Sequence, residues 1–270
     1  MLEDLLIMEP VDAHPRGGHR AIEPRGKCKL LGIEITPTTL SGFLSWLDEA
    51  LAAQVGGVIV GHNLHSAYLY HTNPDFKEVY DSASFILTDG APVAWDHRVS
   101  GGLSGNQRLG STDWLPQLNL VGSLKRIAVI GASDVSNMEF RSWLEKRFPA
   151  VRVEGVSGEA WDEAKVARAE NLLVRYNPQL VLIGLGMPLQ ESFIAAARAN
   201  NKEIVFAAIG GAIDQLGGNQ RNAPRWLGPL GLEWLWRLLS QPRRLGQRYL
   251  VEPWKLLWVR LKSVKGRTAK

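Results

Sequence analysis

The sequence is poor in cysteine and in long apolar runs. Its 270 residues contain a single cysteine, Cys28, so an internal disulfide is excluded and no cysteine spacing indicates a metal site. No run of about 18 consecutive apolar residues occurs, which argues against a transmembrane helix. The first residues carry Glu3 and Asp4 where a secretory signal carries basic residues. These absences predict a cytoplasmic protein that contacts membranes only peripherally.

Several motifs of nucleotide chemistry are also missing. The chain has no Asp-x-Asp, the commonest means of holding a divalent ion on a nucleotide-sugar diphosphate, and no Walker A or G-x-S-x-G pattern. Gly184 and Gly186 lack the third glycine of a dinucleotide fingerprint, which argues against a dehydrogenase. His62 and His65 have no acidic or cysteine partner at metal-ligand spacing. We therefore expect no cofactor and no metal site.

Positive charge is abundant but unevenly placed. The net charge is +4, yet residues 221–270 hold 12 of the 31 basic residues and only two of the 27 acidic ones. That segment therefore carries +10 and the rest of the chain −6, so binding to an anionic partner is expected of the C-terminal segment.

The chain divides into three parts. Residues 1–26 mix prolines, a Gly-Gly pair and scattered charges without apolar periodicity, which predicts a disordered leader. Residues 27–220 are expected to form an α/β catalytic domain. Residues 221–270 are expected to form a basic amphipathic C-terminal appendage that docks on a membrane.

Strand-like and helix-like stretches alternate through the middle part. Short apolar runs typical of buried parallel strands lie at 30–35, 56–61, 84–89, 126–131, 151–156, 180–186 and 203–211. Helical patterns lie between them at 40–53, 137–148, 160–176 and 190–200. This alternation predicts a Rossmann-like, mostly parallel sheet flanked by helices. Ligands bind outside the carboxyl ends of such strands, which selects as near-site residues Asn63, Asp89, Gly131, Gly186 and Gly210.

The segment FILTDG places Asp89 where a buried run ends. A carboxylate there can act as a general base on a sugar hydroxyl. The alternative is that Asp89-Gly90 only makes a turn or caps the next helix.

Two further segments carry phosphate-compatible residues. In LIGLGMPLQES, a glycine turn and Pro188 precede a helix that opens with Gln190 and Glu191, which could aim backbone N–H groups at a phosphate or form an ordinary turn. In RLGSTDWL, Arg108 lies close to Asp113 and could bind a phosphate or form a surface ion pair.

The C-terminal appendage combines arginine with tryptophan. A helical wheel gathers one apolar stripe, which Leu256 and Val259 blur: Leu250, Val251, Trp254, Leu257, Trp258 and Leu261. Arg221, Arg243 and Arg244 lie among apolar helical turns, where their guanidinium groups suit a diphosphate. An anionic membrane is the favoured partner, with packing on the core or a nucleic-acid patch as alternatives.

These motifs together resemble the WecG/TagA/CpsF glycosyltransferase family over roughly residues 28–250. The resemblance depends on Asn63 at a strand end, the TDG turn, R-x-G-x-x-D, GLGMPLQE, IGGAID with a later Gly-Gly pair, and R-x-A-P followed by GLEWLWRL and QPRR. They occur in the family's order and at similar spacing.

The resemblance implies an inverting, metal-independent transfer of a sugar from a UDP-sugar to a polyprenyl-diphosphate-linked sugar at the inner face of the cytoplasmic membrane. It implies that Asp89 is the base that deprotonates the acceptor hydroxyl. Asn63, Arg108 and Gln190, with the nearby Gly186, fall on positions that place donor or acceptor. It implies that Arg221, Arg243 and Arg244 hold the lipid diphosphate as the appendage closes over the site.

One departure bears on the sugar. Many family members have threonine two residues before the asparagine, where this chain has Gly61, and GHNLHS resembles the GumM branch that adds glucose in exopolysaccharide assembly. We therefore expect UDP-glucose as donor, with a UDP-N-acetylmannosamine-type transferase of wall polymer synthesis or a non-enzymatic membrane-docking protein as alternatives. The membrane-proximal site also favours self-association or contact with neighbouring pathway enzymes.

Overall fold

The computed structural model describes residues 25–102, 108–219, 233–240 and 246–268. Most of the leader predicted for residues 1–26 lies outside the described residues, as do Arg221, Arg243 and Arg244. Arg25 is described, and its guanidinium donates to the backbone carbonyls of Asp81 and Ala83.

A six-stranded parallel sheet forms the centre of the protein. An antiparallel hairpin of β1 (Gly26–Cys28) and β2 (Ile33–Ile35) stands apart from it. The sheet contains β3 (Gly57–His62), β4 (Phe85–Thr88), β5 (Arg126–Gly131), β6 (Arg152–Val156), β7 (Leu180–Gly184) and β8 (Val205–Ala208). They lie in the order β4-β3-β8-β7-β5-β6. The predicted Rossmann-like α/β fold is confirmed.

Helices connect the strands and cover both faces of the sheet. They are α1 (Leu40–Ala52), α2 (Leu64–Thr72), α3 (Pro74–Asp81), α4 (Ala91–Val99), α5 (Ser111–Trp114) with a 3-10 turn (Leu115–Leu120), α6 (Asp134–Arg147), α7 (Glu163–Tyr176), α8 (Leu189–Asn200) and α9 (Ala212–Leu216). In the C-terminal appendage, α10 (Glu233–Ser240) is followed by a π-helical turn (Gln247–Val251) and α11 (Glu252–Thr268).

The sheet forms because its central strands are apolar on both faces. Along β7, Leu180 and Leu182 enter the core cluster on one side, and Val181 and Ile183 enter the cluster on the other. All four are fully buried. The hydrophobic effect therefore favours helices on both sides, as a parallel sheet requires.

The first predicted strand differs from what the sequence indicated. The run at 30–35 was expected to join the main sheet, but only residues 33–35 are extended, and Gly32 makes a turn with φ +66°. The Asp96 carboxylate of α4 accepts the backbone N–H groups of Leu30 and Leu31, which fixes the hairpin against α4. Helices α2, α3 and α4 were not predicted: α2 and α4 have weak apolar periodicity, and α3, although amphipathic, is only eight residues long.

Among the described residues of the appendage, one face of the π-helical turn and α11 packs on the rest of the protein. This docking face consists of Arg248, Glu252, Leu256 and Arg260, which are spaced four residues apart and so share one side. Leu256 is 3% exposed and packs into the cluster that contains residues of β1, β2, α2 and α4. Arg260 donates to the backbone carbonyls of Lys29 and Leu30. Leu256, which blurred the apolar stripe in the sequence, is thus the buried anchor.

The predicted apolar stripe lies on the other side of this segment and is exposed. This exposed face consists of Leu250, Val251, Trp254, Leu257, Trp258 and Leu261. Four of these residues, Leu250, Val251, Trp254 and Trp258, line a shallow cavity of about 400 Å³ together with Lys255. Lys262 Nζ lies 3.5 Å from the Trp258 ring centroid. Each helix in the described part of the chain falls short of the length or apolar character that a membrane span requires.

The packing at the carboxyl end of β5 can be tested by a substitution at Gly131. Its φ is +118°, and a Cβ there would lie 2.5 Å from the Gly184 carbonyl group. We expect Gly131→Ala to lower the free energy of unfolding by about 3 kcal/mol, measured by denaturant titration. Gly122→Ala is the control, because nothing lies within 4 Å of the added Cβ. Equal stability of the two variants would contradict this packing.

Candidate active site

Two predicted site residues are placed side by side by the pairing of β3 with β4. His62 is the register partner of Thr88, so Asn63 and Asp89 follow at neighbouring positions as the strands end. The Asp89 N–H donates to the His62 carbonyl at 2.9 Å. A Cβ on Gly90 would lie 3.6 Å from the Asn63 Cβ. The pairing of the strands therefore brings Asn63 and Asp89 together at the carboxyl edge of the sheet.

Asp89 is exposed, and glycines closely flank it. A Cβ on Gly110 would lie 2.9 Å from Asp89 Oδ1, and a Cβ on Gly61 would lie 3.2 Å from the Asp89 Cβ. Side chains at either position would press on the carboxylate. Glycine at both positions therefore lets the backbone approach Asp89 closely while the carboxylate stays exposed.

Asn63 caps α2 as well as lining the site. Its Oδ1 accepts the backbone N–H groups of His65 and Ser66, and the Ser66 hydroxyl oxygen accepts the Asn63 N–H at 2.7 Å. This reciprocal capping holds the Asn63 side chain in one orientation.

His62 is buried at this strand end and contacts side chains of α2 and α3. Its Nδ1 lies 2.9 Å from the Ser66 hydroxyl, and the ring packs on Tyr80 with centroids 4.4 Å apart. Complete burial lowers the pKa of His62 to about 3, so the imidazole is neutral. Only one nitrogen of a neutral imidazole carries a proton and can donate. His62 therefore has a structural role, in which its packing holds the strand end before Asn63.

The R-x-G-x-x-D segment meets the end of β4. The Leu109 N–H donates to the Thr88 carbonyl at 2.9 Å, which places Arg108 next to the Asp89 turn. Asp113 Oδ2 accepts the Gly110 N–H at 2.8 Å. The Asp113 carboxylate thus holds the loop that flanks Asp89. The sequence indicated only phosphate binding or a surface ion pair for this segment.

Gly186 and Gln190 belong to the turn between β7 and α8, two strands from β3. Gly186 is exposed with φ +81°, and its carbonyl accepts the Gln190 N–H at 2.9 Å, so that N–H is not available to a phosphate. Gln190 is buried and its side-chain amide donates to Glu191 Oε1 at 2.9 Å. The side chain that was expected to face a ligand is therefore bonded to its neighbour.

Glu191 is a buried carboxyl in the same turn. Burial raises the pKa of Glu191 to about 7, and the hydrogen bond from Gln190 and the nearby Arg248 charge oppose that rise. Near neutral pH the side chain therefore exists in both protonation states. Because Arg248 belongs to the appendage, the appendage contributes positive charge near Glu191.

Arg248 and Glu252 are site neighbours that the sequence analysis did not identify. Arg248 donates to Asn63 Oδ1 at 3.3 Å, and His65 Nδ1 lies 2.5 Å from Glu252 Oε2. The four-residue spacing of the docking face was the available signal. It was obscured because the tryptophan stripe dominates the hydrophobic pattern of the same helix.

The site thus combines an accessible carboxylate, a fixed amide and the Arg248 guanidinium group, with Arg108 adjacent in the chain to the loop that meets β4. A carboxylate can take a proton from a hydroxyl, and guanidinium groups bind phosphate oxygens strongly. Within the described ranges, no three His, Cys, Asp or Glu side chains are grouped closely enough to hold a metal ion.

The sequence is similar to a family of known proteins. The model of the glycosyl transferase WecG/TagA/CpsF family matches residues 28–270. The N-acetylglucosaminyldiphosphoundecaprenol N-acetyl-beta-D-mannosaminyltransferase of Bacillus subtilis (strain 168) is 31% identical over 211 residues, which cover 77% of this chain and 81% of the relative. The protein of the same name from Staphylococcus aureus (strain MRSA252) is 23% identical over 228 residues, 82% of this chain and 87% of the relative. The chain belongs to the WecG/TagA/CpsF family of glycosyltransferases.

Proposed function

We propose that the protein transfers a hexose from a UDP-sugar to a polyprenyl-diphosphate-linked sugar, with inversion and without a metal ion. The observation that carries the proposal is the exposed Asp89 carboxylate beside the capped Asn63 side chain, in a chain of this family. The names of the relatives specify a sugar acceptor on diphosphoundecaprenol, which supports the acceptor class.

In the proposed reaction Asp89 is the general base. Its carboxylate takes the proton of an acceptor hydroxyl as the hydroxyl oxygen attacks the anomeric carbon of the donor. The bond from that carbon to the diphosphate oxygen breaks on the opposite face, and UDP leaves with the bonding electrons. The exposure of the Asp89 side chain supports this role, since it gives a sugar access to the carboxylate.

Substrate placement is assigned to residues around this edge. Asn63 and Arg108 lie beside the Asp89 turn and are suited to orient sugar and phosphate oxygens. Gly186 and Gln190 form the neighbouring β7–α8 turn. Arg221, Arg243 and Arg244, which lie outside the described residues, are proposed to bind the lipid diphosphate.

The donor sugar is proposed to be glucose, destined for exopolysaccharide. Gly61 supports a donor other than UDP-N-acetylmannosamine. Any side chain at this position would contact Asp89 and so change the shape of the region that receives the sugar. The relatives' names favour N-acetylmannosamine as the second candidate. A panel of donors separates the two.

The exposed face supports docking on an anionic membrane at the inner leaflet. Trp254 and Trp258 are 72% and 59% exposed, and Lys262 lies over the Trp258 ring. Amphipathic aromatic rings next to basic residues are typical of helices that lie in a bilayer interface. Such docking would bring the carboxyl edge of the sheet, where Asp89 lies (the Asp89 edge), close to a lipid-linked acceptor.

The base is tested by Asp89→Asn, with transfer of labelled sugar from several UDP-sugars to diphosphate-lipid analogues in EDTA. We expect turnover to fall at least about 1000-fold, because an amide cannot accept the proton, while UDP binding measured by calorimetry stays within about twofold. Asp113→Asn is the matched control and should lose far less activity. Full activity of Asp89→Asn would refute Asp89 as the base, whereas no transfer by the wild-type protein from any donor would favour a non-enzymatic docking role.

The membrane contact is tested by the double variant Trp254→Ser, Trp258→Ser. Removing two exposed rings should weaken binding to phosphatidylglycerol vesicles about tenfold or more, measured by co-sedimentation, without loss of thermal stability. Trp95→Ser, which removes another exposed tryptophan from α4, should leave binding unchanged. Vesicle binding equal to wild type in the double variant would refute the assignment of the exposed face to the membrane.

A further inference from the structure

The contact between the appendage and the catalytic edge is concentrated in the first turn of α2. His65, which meets Glu252, lies two residues after Asn63, which meets Arg248. Both partners in the appendage therefore touch the helix turn whose cap lines the site. Because Arg248 and Glu252 are four residues apart on the docking face, fixing one side chain limits where the other can go.

The His65–Glu252 contact is well shielded. The two side chains are 15% and 12% exposed, and the nitrogen–oxygen distance is 2.5 Å. Water competes weakly with a hydrogen bond in such surroundings, and a charged partner strengthens it. Burial and the Arg248 charge lower the pKa of His65, so at neutral pH a neutral imidazole donates its Nδ1–H to the Glu252 carboxylate.

The far end of α11 is held by different contacts. Leu256 is buried in the cluster around β1 and β2, and Arg260 binds two carbonyls of the hairpin turn. Loss of the His65–Glu252 contact would therefore leave the helix attached to the hairpin. It would release only the end that carries Arg248 and the π-helical turn.

We propose that His65 and Glu252 form a latch, a positioning pair that holds Arg248 against the Asn63 side chain and so keeps the appendage closed on the Asp89 edge. The latch acts through Arg248 and touches no substrate itself. Its effect on turnover rests on the proposed function. Its effect on the appendage can be measured without any substrate.

The first measurement is amide hydrogen exchange on the full chain for His65→Ala, Glu252→Ala and the double variant. We expect exchange in residues 247–256 to quicken about tenfold in each single variant and no further in the double variant, because both changes remove one interaction. His65→Gln should restore most protection, since its amide can donate to Glu252. Residues of β5 and β7 should keep their wild-type rates.

Another pair of the same length serves as the control. Arg175 and Glu154 also lie 2.5 Å apart, on α7 and β6 at the opposite edge of the sheet. Alanine variants of this pair should leave exchange in residues 247–256 unchanged. Wild-type exchange in both latch variants would overturn the proposal.

The second measurement is kcat/KM for a polyprenyl-diphosphate-sugar analogue. We expect each alanine variant to lose about tenfold, chiefly through a higher KM for this acceptor, and His65→Gln to recover most of it. Faster exchange without any change in kcat/KM would overturn the positioning role. A wild-type protein inactive with every donor would refute the proposed function, and the exchange rates would still decide whether the latch exists.

Discussion

The parallel pairing of β3 with β4 determines where the chemistry of this protein can occur. The register that aligns His62 with Thr88 leaves Asn63 and Asp89 adjacent as both chains turn away from the sheet. Backbone hydrogen bonds set this spacing, so it does not depend on flexible side chains. The glycines at 61 and 110 then determine how much space surrounds the carboxylate. A catalytic residue on such a strand end is held by the most rigid part of the fold.

The appendage adds a second level of organisation. Its last helix uses one face for the protein and leaves another apolar face in contact with solvent. The first face connects the hairpin, α2 and the site, whereas the second provides the aromatic surface. A partner that binds the exposed face can therefore change the geometry around Asn63, because both faces belong to the same helical segment.

The sheet and the position of Asn63 and Asp89 at its carboxyl edge could be predicted from the sequence because they depend on local pattern. The run at 126–131 matches β5 residue for residue, and the strand-end rule identified Asn63 and Asp89 before any contact was known. The partners of His65 and Asn63 could not be predicted, since they lie 187 and 185 residues away in the chain. The same limit applies to Gln190, whose side chain turns to Glu191 and away from the position expected for it.

The four-residue spacing of the docking face also constrains how this segment can evolve. An α-helix turns by about 100° per residue, so a one-residue insertion between Glu252 and Leu256 would rotate all later side chains around the axis. Arg260 would leave the hairpin carbonyls, and the tryptophan face would swing away from its present direction. Substitutions on the exposed face can accumulate while apolar character is kept, but the length of the segment from Arg248 to Arg260 is fixed by two surfaces at once.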